Sequence, residues 1–138
     1  MRVMALDIGE VRIGVAISDP ERVLASPVCV VSTKEVLGNH LAFRRLIEDW
    51  EPELFLCGMP YTLEGKEGPQ AKNVRAVAKH ISQTYSVPLE FVDERLSSQE
   101  AKRNLREEGR SEKEMRGKID MIAASLFLQT WLDSQRAR

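Results

Sequence analysis

The sequence predicts an α/β protein built on a mixed five-stranded sheet, with three antiparallel strands, then two parallel ones, and helices on both faces. Three consecutive segments rich in Val, Ile and Ala are separated only by short connections. Two later apolar segments each follow a stretch of helical periodicity, as parallel strands joined by helices do. The length of 138 residues and the 43% hydrophobic content predict one domain over residues 1–138.

The first three strands are predicted at residues 3–8, 12–18 and 23–31. The connections at residues 9–11 and 19–22 are too short for a crossover, so these strands should form an antiparallel meander. A helix follows, and Pro52 ends it before an apolar strand at residues 54–57. The apolar positions that predict this helix are Leu37, Leu41, Ile47 and Trp50.

A segment with two glycines and two prolines, residues 60–69, predicts a mobile loop. The helix after it has one apolar side and ends before Pro88, which precedes a strand at residues 89–93. Two capping boxes, at residues 97–100 and 111–114, predict two final helices, the first of which ends at Gly109. The apolar side of the helix before Pro88 consists of Val74, Val77, Ile81 and Tyr85.

Composition points to an ordinary globular surface and gives no overall sign of nucleic-acid binding, since the net charge is only −1. Cys29 and Cys57 lie in separate apolar stretches without metal-ligand spacing, so we expect reduced core thiols. Asp7 interrupts the apolar start too early for a signal peptide, and no apolar run has membrane-spanning length. A cytoplasmic protein without a membrane partner is therefore expected.

Acidic residues stand at the ends of two predicted strands. Asp7 closes the first strand, and Asp93 and Glu94 close the last. Carboxylates at such positions project into the crevice beyond the strand ends, where α/β proteins bind ligands. The structural alternatives are that Asp7 caps the turn and that Asp93 or Glu94 complements the dipole of the following helix. Because side chains alternate along a strand, Asp93 and Glu94 should point to opposite faces.

Asp120 is the most informative acid, because it falls on an apolar line of the last predicted helix. That line should face the core, where an ionised carboxylate is unfavourable unless it is paired, hydrogen-bonded or bound to metal. We favour a metal ion as its partner, and the structural alternative is a salt bridge to an arginine. The apolar line consists of Ala123, Ala124, Phe127 and Trp131, and the candidate arginines are Arg12, Arg95 and Arg116.

Three carboxylates with no matching His or Cys cluster predict a hard, all-oxygen site for Mg²⁺ or Mn²⁺. The chemistry that such a site implies is phosphodiester hydrolysis, for which the protein need supply no covalent nucleophile. Neither His40 nor His80 lies in a motif, so no histidine is assigned a catalytic role.

Basic side chains for a nucleic-acid partner are concentrated in two places. Between residues 101 and 118, seven Lys and Arg residues outnumber four Glu residues, which fits either a phosphate-binding surface or a solvated helix with i, i+4 ion pairs. Lys66, Lys72 and Arg75 flank the glycine-rich loop, which could act as a lid with further phosphate contacts. Only eight residues are aromatic, so recognition of specific bases is not predicted.

Four ordered motifs together resemble the YqgF family, also called RuvX, and are similar to Holliday junction resolvases of the RuvC type. The resemblance runs from Leu6 to about Leu132. The motifs are Leu6-Asp7-Ile8-Gly9 with Arg12-Ile13-Gly14-Val15-Ala16 and Ser18-Asp19, then Gly58-Met59-Pro60, then Asp93-Glu94-Arg95-Leu96, and finally Asp120 with Ala123-Ala124.

The resemblance implies a ribonuclease-H-like fold and hydrolysis at the 5′ end of the small-subunit ribosomal RNA precursor, with Holliday junction resolution as an alternative. It implies that Asp7, Glu94 and Asp120 are the catalytic and metal-binding acids, with Asp93 a possible further ligand. Arg12 and Arg95 match motif arginines that hold a phosphate or orient an acid. With Lys72 and Arg75 they form the predicted substrate-binding set.

The partners expected on this basis are structured RNA, favoured over branched DNA, and a ribosomal precursor particle, while the oligomeric state stays open. Two other classes of protein compete with a nuclease. Asp7-Ile8-Gly9 followed by Gly14 also resembles the first phosphate loop of actin-like and sugar-kinase ATPases, but those enzymes use two such domains. A non-catalytic RNA-binding ribosome-assembly factor could keep the same fold, although retention of all three acids argues against it.

Overall fold

The structure, a computed structural model, describes residues 1–94 and 112–136. Within these two ranges the chain forms five strands and four helices, while the helix predicted between residues 97 and 109 lies outside the described residues. The strands are β1 (Arg2–Ile8), β2 (Arg12–Ser18), β3 (Ala25–Ser32), β4 (Pro52–Met59) and β5 (Leu89–Asp93). The helices are α1 (Thr33–Leu37), α2 (Leu41–Trp50), α3 (Pro69–Tyr85) and α4 (Glu112–Arg136).

All five strands join one sheet in the order β3-β2-β1-β4-β5. β1 pairs antiparallel with β2, and β2 pairs antiparallel with β3, whereas β1, β4 and β5 run parallel to one another. The predicted α/β class, with three antiparallel strands followed by two parallel ones, is therefore confirmed. As a consequence, the carboxyl ends of β1, β4 and β5 meet at a single edge of the sheet.

Helices cover both faces of the sheet, and β1 and β4 are accordingly apolar on both sides. Alternate residues of β1, Met4, Leu6 and Ile8, belong to one core that includes the buried residues of α1, α2 and α3. The intervening residues Val3 and Ala5 belong to a second core beneath α4. The buried residues that α4 contributes to this second core are Ala124, Phe127, Leu128, Trp131 and Leu132.

Polar contacts from α4 to the start of β3 fix the position of the helix along the sheet. The side-chain oxygen of Gln129 accepts a 2.9 Å hydrogen bond from the backbone N–H of Ala25, and its amide donates a 2.9 Å bond to the carbonyl of Val23. The guanidinium of Arg22 lies 5.2 Å from the centre of the Trp131 ring, where a cation is attracted to the aromatic face. These contacts fix how far α4 extends over the sheet.

Two predicted element boundaries differ from the structure. The helix predicted from Leu37 to Trp50 is interrupted, because Asn39 adopts a left-handed backbone conformation (φ 57°) between α1 and α2. The third strand begins at Ala25 rather than at residue 23, because the Asp19 carboxylate accepts hydrogen bonds from Val23 and Leu24 and holds both residues in the turn.

The connection from β4 to α3 contains a turn closed by its own hydrogen bonds. The backbone N–H of Thr62 donates to the carbonyl of Lys66 at 2.8 Å, and the N–H of Gly65 donates to the carbonyl of Thr62 at 2.8 Å. Gly65 has a positive φ of 78°, which glycine adopts without strain. The lid role predicted for this connection stays a prediction. Across the described helices, none is long and apolar enough to cross a membrane.

Gly14 allows α4 to contact the sheet backbone directly. A Cβ atom at this position would lie 2.2 Å from the carbonyl carbon and oxygen of Asp120 and 2.5 Å from the nitrogen of Met121. All three are backbone atoms, so no side-chain rotation can relieve the overlap. The absence of a side chain at Gly14 therefore decides how closely α4 packs against β2.

We predict that Gly14→Ala lowers the free energy of unfolding by about 3 kcal/mol, because forced overpacking moves backbone rather than a flexible side chain. Urea unfolding followed by circular dichroism measures this change. Gly38→Ala is the matched control, because its added Cβ would meet the flexible His40 side chain at 3.1 Å. Equal stability of the Gly14→Ala and Gly38→Ala proteins would contradict the proposed contact.

Candidate active site

Asp7 lies at the carboxyl end of β1 on the face covered by α4. Its position follows from alternation, since Val3 and Ala5 pack beneath α4 and Asp7 is the next residue in that series. Its Cα is paired with that of Gly14 in β2, directly below the backbone of Asp120. The residue is only 9% exposed, so this carboxyl group is largely removed from water.

Glu94 immediately follows β5 and reaches the same face. Its backbone N–H donates a 3.3 Å hydrogen bond to the carbonyl of Met59 at the end of β4. Its carboxyl group lies against Gly58, where an added Cβ would lie 2.6 Å from Glu94 Oε2 and 2.8 Å from the Phe127 ring. The absence of a side chain at Gly58 therefore makes room for Glu94 between β4 and α4.

The alternation of β5 separates Glu94 from Asp93. Phe91 packs on the core of α1, α2 and α3, whereas Val92 packs on the core beneath α4. The residues after them continue this alternation, so Asp93 belongs to the first side and Glu94 to the side of Asp7. Of the two acids predicted at this strand end, the geometry brings Glu94 to the site.

Asp120 is held above β2 by α4 and pairs with Arg12. The guanidinium Nε of Arg12 lies 3.1 Å from Asp120 Oδ2, with the two side chains 50% and 26% exposed. This is the salt bridge that the sequence left open as the structural alternative for Asp120. The negative charge of Asp120 still acts on the two other acids and raises the pKa of Asp7 and of Glu94.

Burial and mutual repulsion shift the ionisation of the two inner acids. Desolvation, a hydrogen bond with Glu94 and the charges of Glu94 and Asp120 raise the pKa of Asp7 from its usual 3.8 to about 9. The pKa of Glu94 is also raised, mainly by desolvation. Because both pKa values are raised and the two carboxyl groups are hydrogen-bonded to each other, the pair shares a proton.

The Asp7–Glu94 pair fits a hard divalent cation by its chemistry. Both groups offer only carboxylate oxygens, which Mg²⁺ and Mn²⁺ prefer. Among the residues that the structure describes, the buried Glu94 Oε2 has no hydrogen-bond partner, so one acceptor at this site is unsatisfied there. In the parts of the chain that the structure describes, no three His, Cys, Asp or Glu side chains are arranged to hold a metal, and the third candidate acid, Asp120, is paired with Arg12.

The predicted substrate-binding residues lie in different parts of the structure, and one of them lies outside the described residues. Arg12 adjoins the acids, and Lys72 is exposed near the start of α3. Arg75 donates from Nε to Glu67 at 2.9 Å, and its guanidinium lies 4.6 Å from the centre of the Phe91 ring on the opposite side of the sheet from α4. Arg95 and most of the basic stretch at residues 101–118 lie outside the described residues.

Sequence reasoning did not assign roles to Gly14 and Gly58, although both occur in the motifs. Each is an isolated glycine inside an apolar strand pattern, which is a sign of close approach by another chain segment. The structure shows that these approaches are made by the backbone of α4 at Gly14 and by the carboxyl group of Glu94 at Gly58.

The mixed sheet with its acidic carboxyl edge defines the class of ribonuclease-H-like α/β proteins, to which the RuvC-type resolvases belong. RuvC of Thermus thermophilus, solved with a Holliday junction substrate, has a TM-score of 0.58 at 15% identity over 99% of this chain and 96% of its own. The fowlpox virus resolvase, solved with Holliday junction DNA, has a TM-score of 0.57 at 14% identity over 98% of this chain and 99% of its own.

The family itself is shown by sequence. The profile of the RuvX family, described as Holliday junction resolvase, matches residues 1–134, and the chain belongs to this family. A relative from Anaeromyxobacter sp. is 38% identical over 99% of this chain and 100% of its own length. One from Roseiflexus sp. is 42% identical over 98% of this chain and 96% of its own length. Both relatives carry the name "Putative pre-16S rRNA nuclease".

We predict that, in EDTA, the free energy of unfolding falls as the pH rises from about 4 to about 9. Asp7 holds its proton in the folded state up to about pH 9 but releases it near 3.8 when unfolded, so its contribution is complete below 3.8 and is lost as the pH rises through 9. Asp7→Asn should flatten this pH dependence and be more stable than the wild type at pH 8. Urea unfolding at a series of pH values measures both effects.

Asp19→Asn is the control of opposite sign. Backbone hydrogen bonds from Leu24 and Val23 lower the pKa of Asp19, so it contributes stability above its unfolded pKa and loses it as the pH falls. This variant should therefore be less stable than the wild type at pH 8. An Asp7→Asn protein with the same pH dependence as the wild type would show that Asp7 is ionised in the folded state.

Proposed function

We propose that this protein is a divalent-metal-dependent nuclease that hydrolyses phosphodiester bonds of the small-subunit ribosomal RNA precursor in the cytoplasm. The observation that carries the proposal is the pair of the buried Asp7 and the partly buried Glu94, with the charge of Asp120 acting on it, at the carboxyl edge of a ribonuclease-H-like sheet. A fold maintains two desolvated acids at a cost in stability, and such clusters are typical of functional sites.

Asp7 and Glu94 are the residues that would hold Mg²⁺ or Mn²⁺, with Asp120 as the third ligand after it leaves Arg12. When bound, such an ion lowers the pKa of a coordinated water and neutralises charge on the phosphate. Because metal ligands bind in their ionised form, a bound cation would displace the proton that the Asp7–Glu94 pair shares. Glu94 Oε2 has no hydrogen-bond partner among the described residues, so a cation could bind this oxygen without displacing one of them.

The other residues of the site position substrate and acids. Arg12 is half exposed at the edge of the acidic pocket, where its planar guanidinium suits a phosphate. The Phe127 ring and the glycine at position 58 enclose the Glu94 carboxyl group and limit the access of water to it. Arg95 and Lys72 are proposed as further phosphate contacts. Arg75 is paired with Glu67 on the opposite face of the sheet from the acids, so it could contact only a part of the substrate that extends to that face.

RNA is the favoured substrate because the relatives that match almost the full length of this chain are named for ribosomal RNA. A structured precursor particle is the partner in which this substrate would be met. The description of the family as a Holliday junction resolvase supports branched DNA as the second candidate. Phosphate contacts alone do not distinguish the two, since both substrates present the same backbone charge.

We predict that the purified protein cleaves an RNA containing the 5′ leader of the small-subunit precursor when Mn²⁺ or Mg²⁺ is supplied. Asp7→Asn and Glu94→Gln should each reduce the cleavage rate at least about 100-fold, since the metal contributes several kcal/mol to transition-state stabilisation. Asp49→Asn, an exposed aspartate of α2, is the control and should retain the wild-type rate. Equal cleavage by the wild type and Asp7→Asn would indicate a contaminating nuclease.

A four-way DNA junction and a linear DNA duplex of the same sequence complete the substrate test. Faster cleavage of the junction than of the precursor RNA would favour resolvase activity. Metal-independent binding of RNA with no cleavage of any substrate would identify a non-catalytic assembly factor instead.

We also predict that Asp120→Asn loses activity while its free energy of unfolding stays within about 1 kcal/mol of the wild type. The Arg12–Asp120 pair is partly exposed, and such pairs contribute between 0 and about 1 kcal/mol. Removing the acid also relieves repulsion of Asp7 and Glu94. Urea unfolding beside the cleavage assay tests this, and destabilisation by several kcal/mol would assign Asp120 a structural role.

A further inference from the structure

Arg12 forms an ion pair with Asp120, the third acid of the proposed metal site. Its Nε lies 3.1 Å from Asp120 Oδ2, while Asp7 and Glu94 are hydrogen-bonded to each other. The charge of Asp120 acts on both of these acids, so its carboxyl group lies within electrostatic reach of the pair. Asp7 and Glu94 are therefore already together, whereas Asp120 is paired with the guanidinium of Arg12.

The backbones of α4 and β2 are in close contact beside this ion pair, so a change of partner is most easily made by side-chain rotation. Asp120 sits on Gly14 at a separation that leaves no space for a Cβ, and Arg12 is two residues from Gly14 on the same strand. α4 therefore cannot shift toward or away from β2 at this point without breaking the contact. Rotation of the Asp120 side chain is the movement that remains available to its carboxyl group.

The strength of the pair suits a temporary contact. Half of the Arg12 side chain and about a quarter of the Asp120 side chain are exposed, so water screens their attraction. A coordinating carboxylate oxygen would approach Mg²⁺ at about 2.1 Å, closer than the 3.1 Å of the Arg12 contact, so direct coordination would compete with this ion pair for Asp120. Once released, Arg12 would have a free, planar guanidinium at the edge of the acidic pocket, which matches a phosphate.

We propose that Arg12 is a displaceable counter-ion that holds Asp120 away from Asp7 and Glu94 until a divalent cation binds, and that it is then free for a substrate phosphate. This inference rests on the proposed function. It makes Arg12 a positioning residue that lowers the affinity for metal alone. By linkage, a phosphate bound to Arg12 would raise the affinity for the metal by the same factor by which the bound metal raises the affinity for the phosphate.

The test measures Mn²⁺ binding without substrate, by isothermal titration calorimetry and by the electron paramagnetic resonance signal of free Mn²⁺. Arg12→Gln should lower the Mn²⁺ dissociation constant about tenfold, and Arg12→Lys, which keeps the charge but not the guanidinium, should fall between it and the wild type. Arg136→Gln is the matched control, because it removes the same charge from an ion pair with Asp133 at the far end of α4. It should bind Mn²⁺ within about twofold of the wild type.

A double-mutant cycle separates the contact with Asp120 from a general effect of charge. In the Asp120→Asn background, Arg12→Gln should change the Mn²⁺ dissociation constant by less than about twofold. A tenfold change in that background, or unchanged or weaker Mn²⁺ binding by Arg12→Gln alone, would overturn the role of Arg12. No Mn²⁺ binding by the wild type or by any Arg12 variant would instead overturn the metal site and the proposed function with it.

Discussion

The backbone contact between α4 and β2 at Gly14 is the constraint on which the site depends. It places Asp120 directly above the strand that pairs with β1, and Asp7 is the residue of β1 that faces Gly14 in this pairing. The same contact brings Asp120 within reach of Arg12 on β2. A side chain at position 14 would push α4 away from β2 and so move Asp120 away from Asp7 and Arg12.

The second constraint is the cost of keeping acids out of water. Asp7 is buried and Glu94 is partly buried against Gly58, and desolvation together with neighbouring negative charges raises the pKa of both carboxyl groups. Burial together with the charges of both acids raises the pKa of the Cys57 thiol, so this cysteine stays protonated. The protein tolerates this arrangement by sharing one proton between Asp7 and Glu94, and a bound cation could replace that proton.

The two faces of the sheet differ in their contents: one holds the larger apolar core, and the other holds a smaller core and the candidate site. The face covered by α1, α2 and α3 holds the larger apolar core, and alternation places Asp93, at the end of β5, on this face. The face covered by α4 combines an apolar core with the Asp7–Glu94 pair at its carboxyl edge. Arg75 illustrates the division, since its contacts with Glu67 and Phe91 are on the first face, away from the acids.

The sequence by itself determined the strand directions, because short connections permit only hairpins and helical segments between apolar strands imply parallel crossovers. The order of the strands, with β4 beside β1, came from the tertiary structure. The sequence also predicted Asp7, Asp120 and one of the two acids Asp93 and Glu94 as candidates, because a carboxylate at a strand end or on an apolar helix line is unfavourable without a partner. The tertiary structure alone decided that Asp120 pairs with Arg12, because that choice depends on atoms 108 residues apart in the chain. It likewise decided how close α4 lies to Gly14, since local patterns specify which face of a helix is apolar but not the depth of its packing.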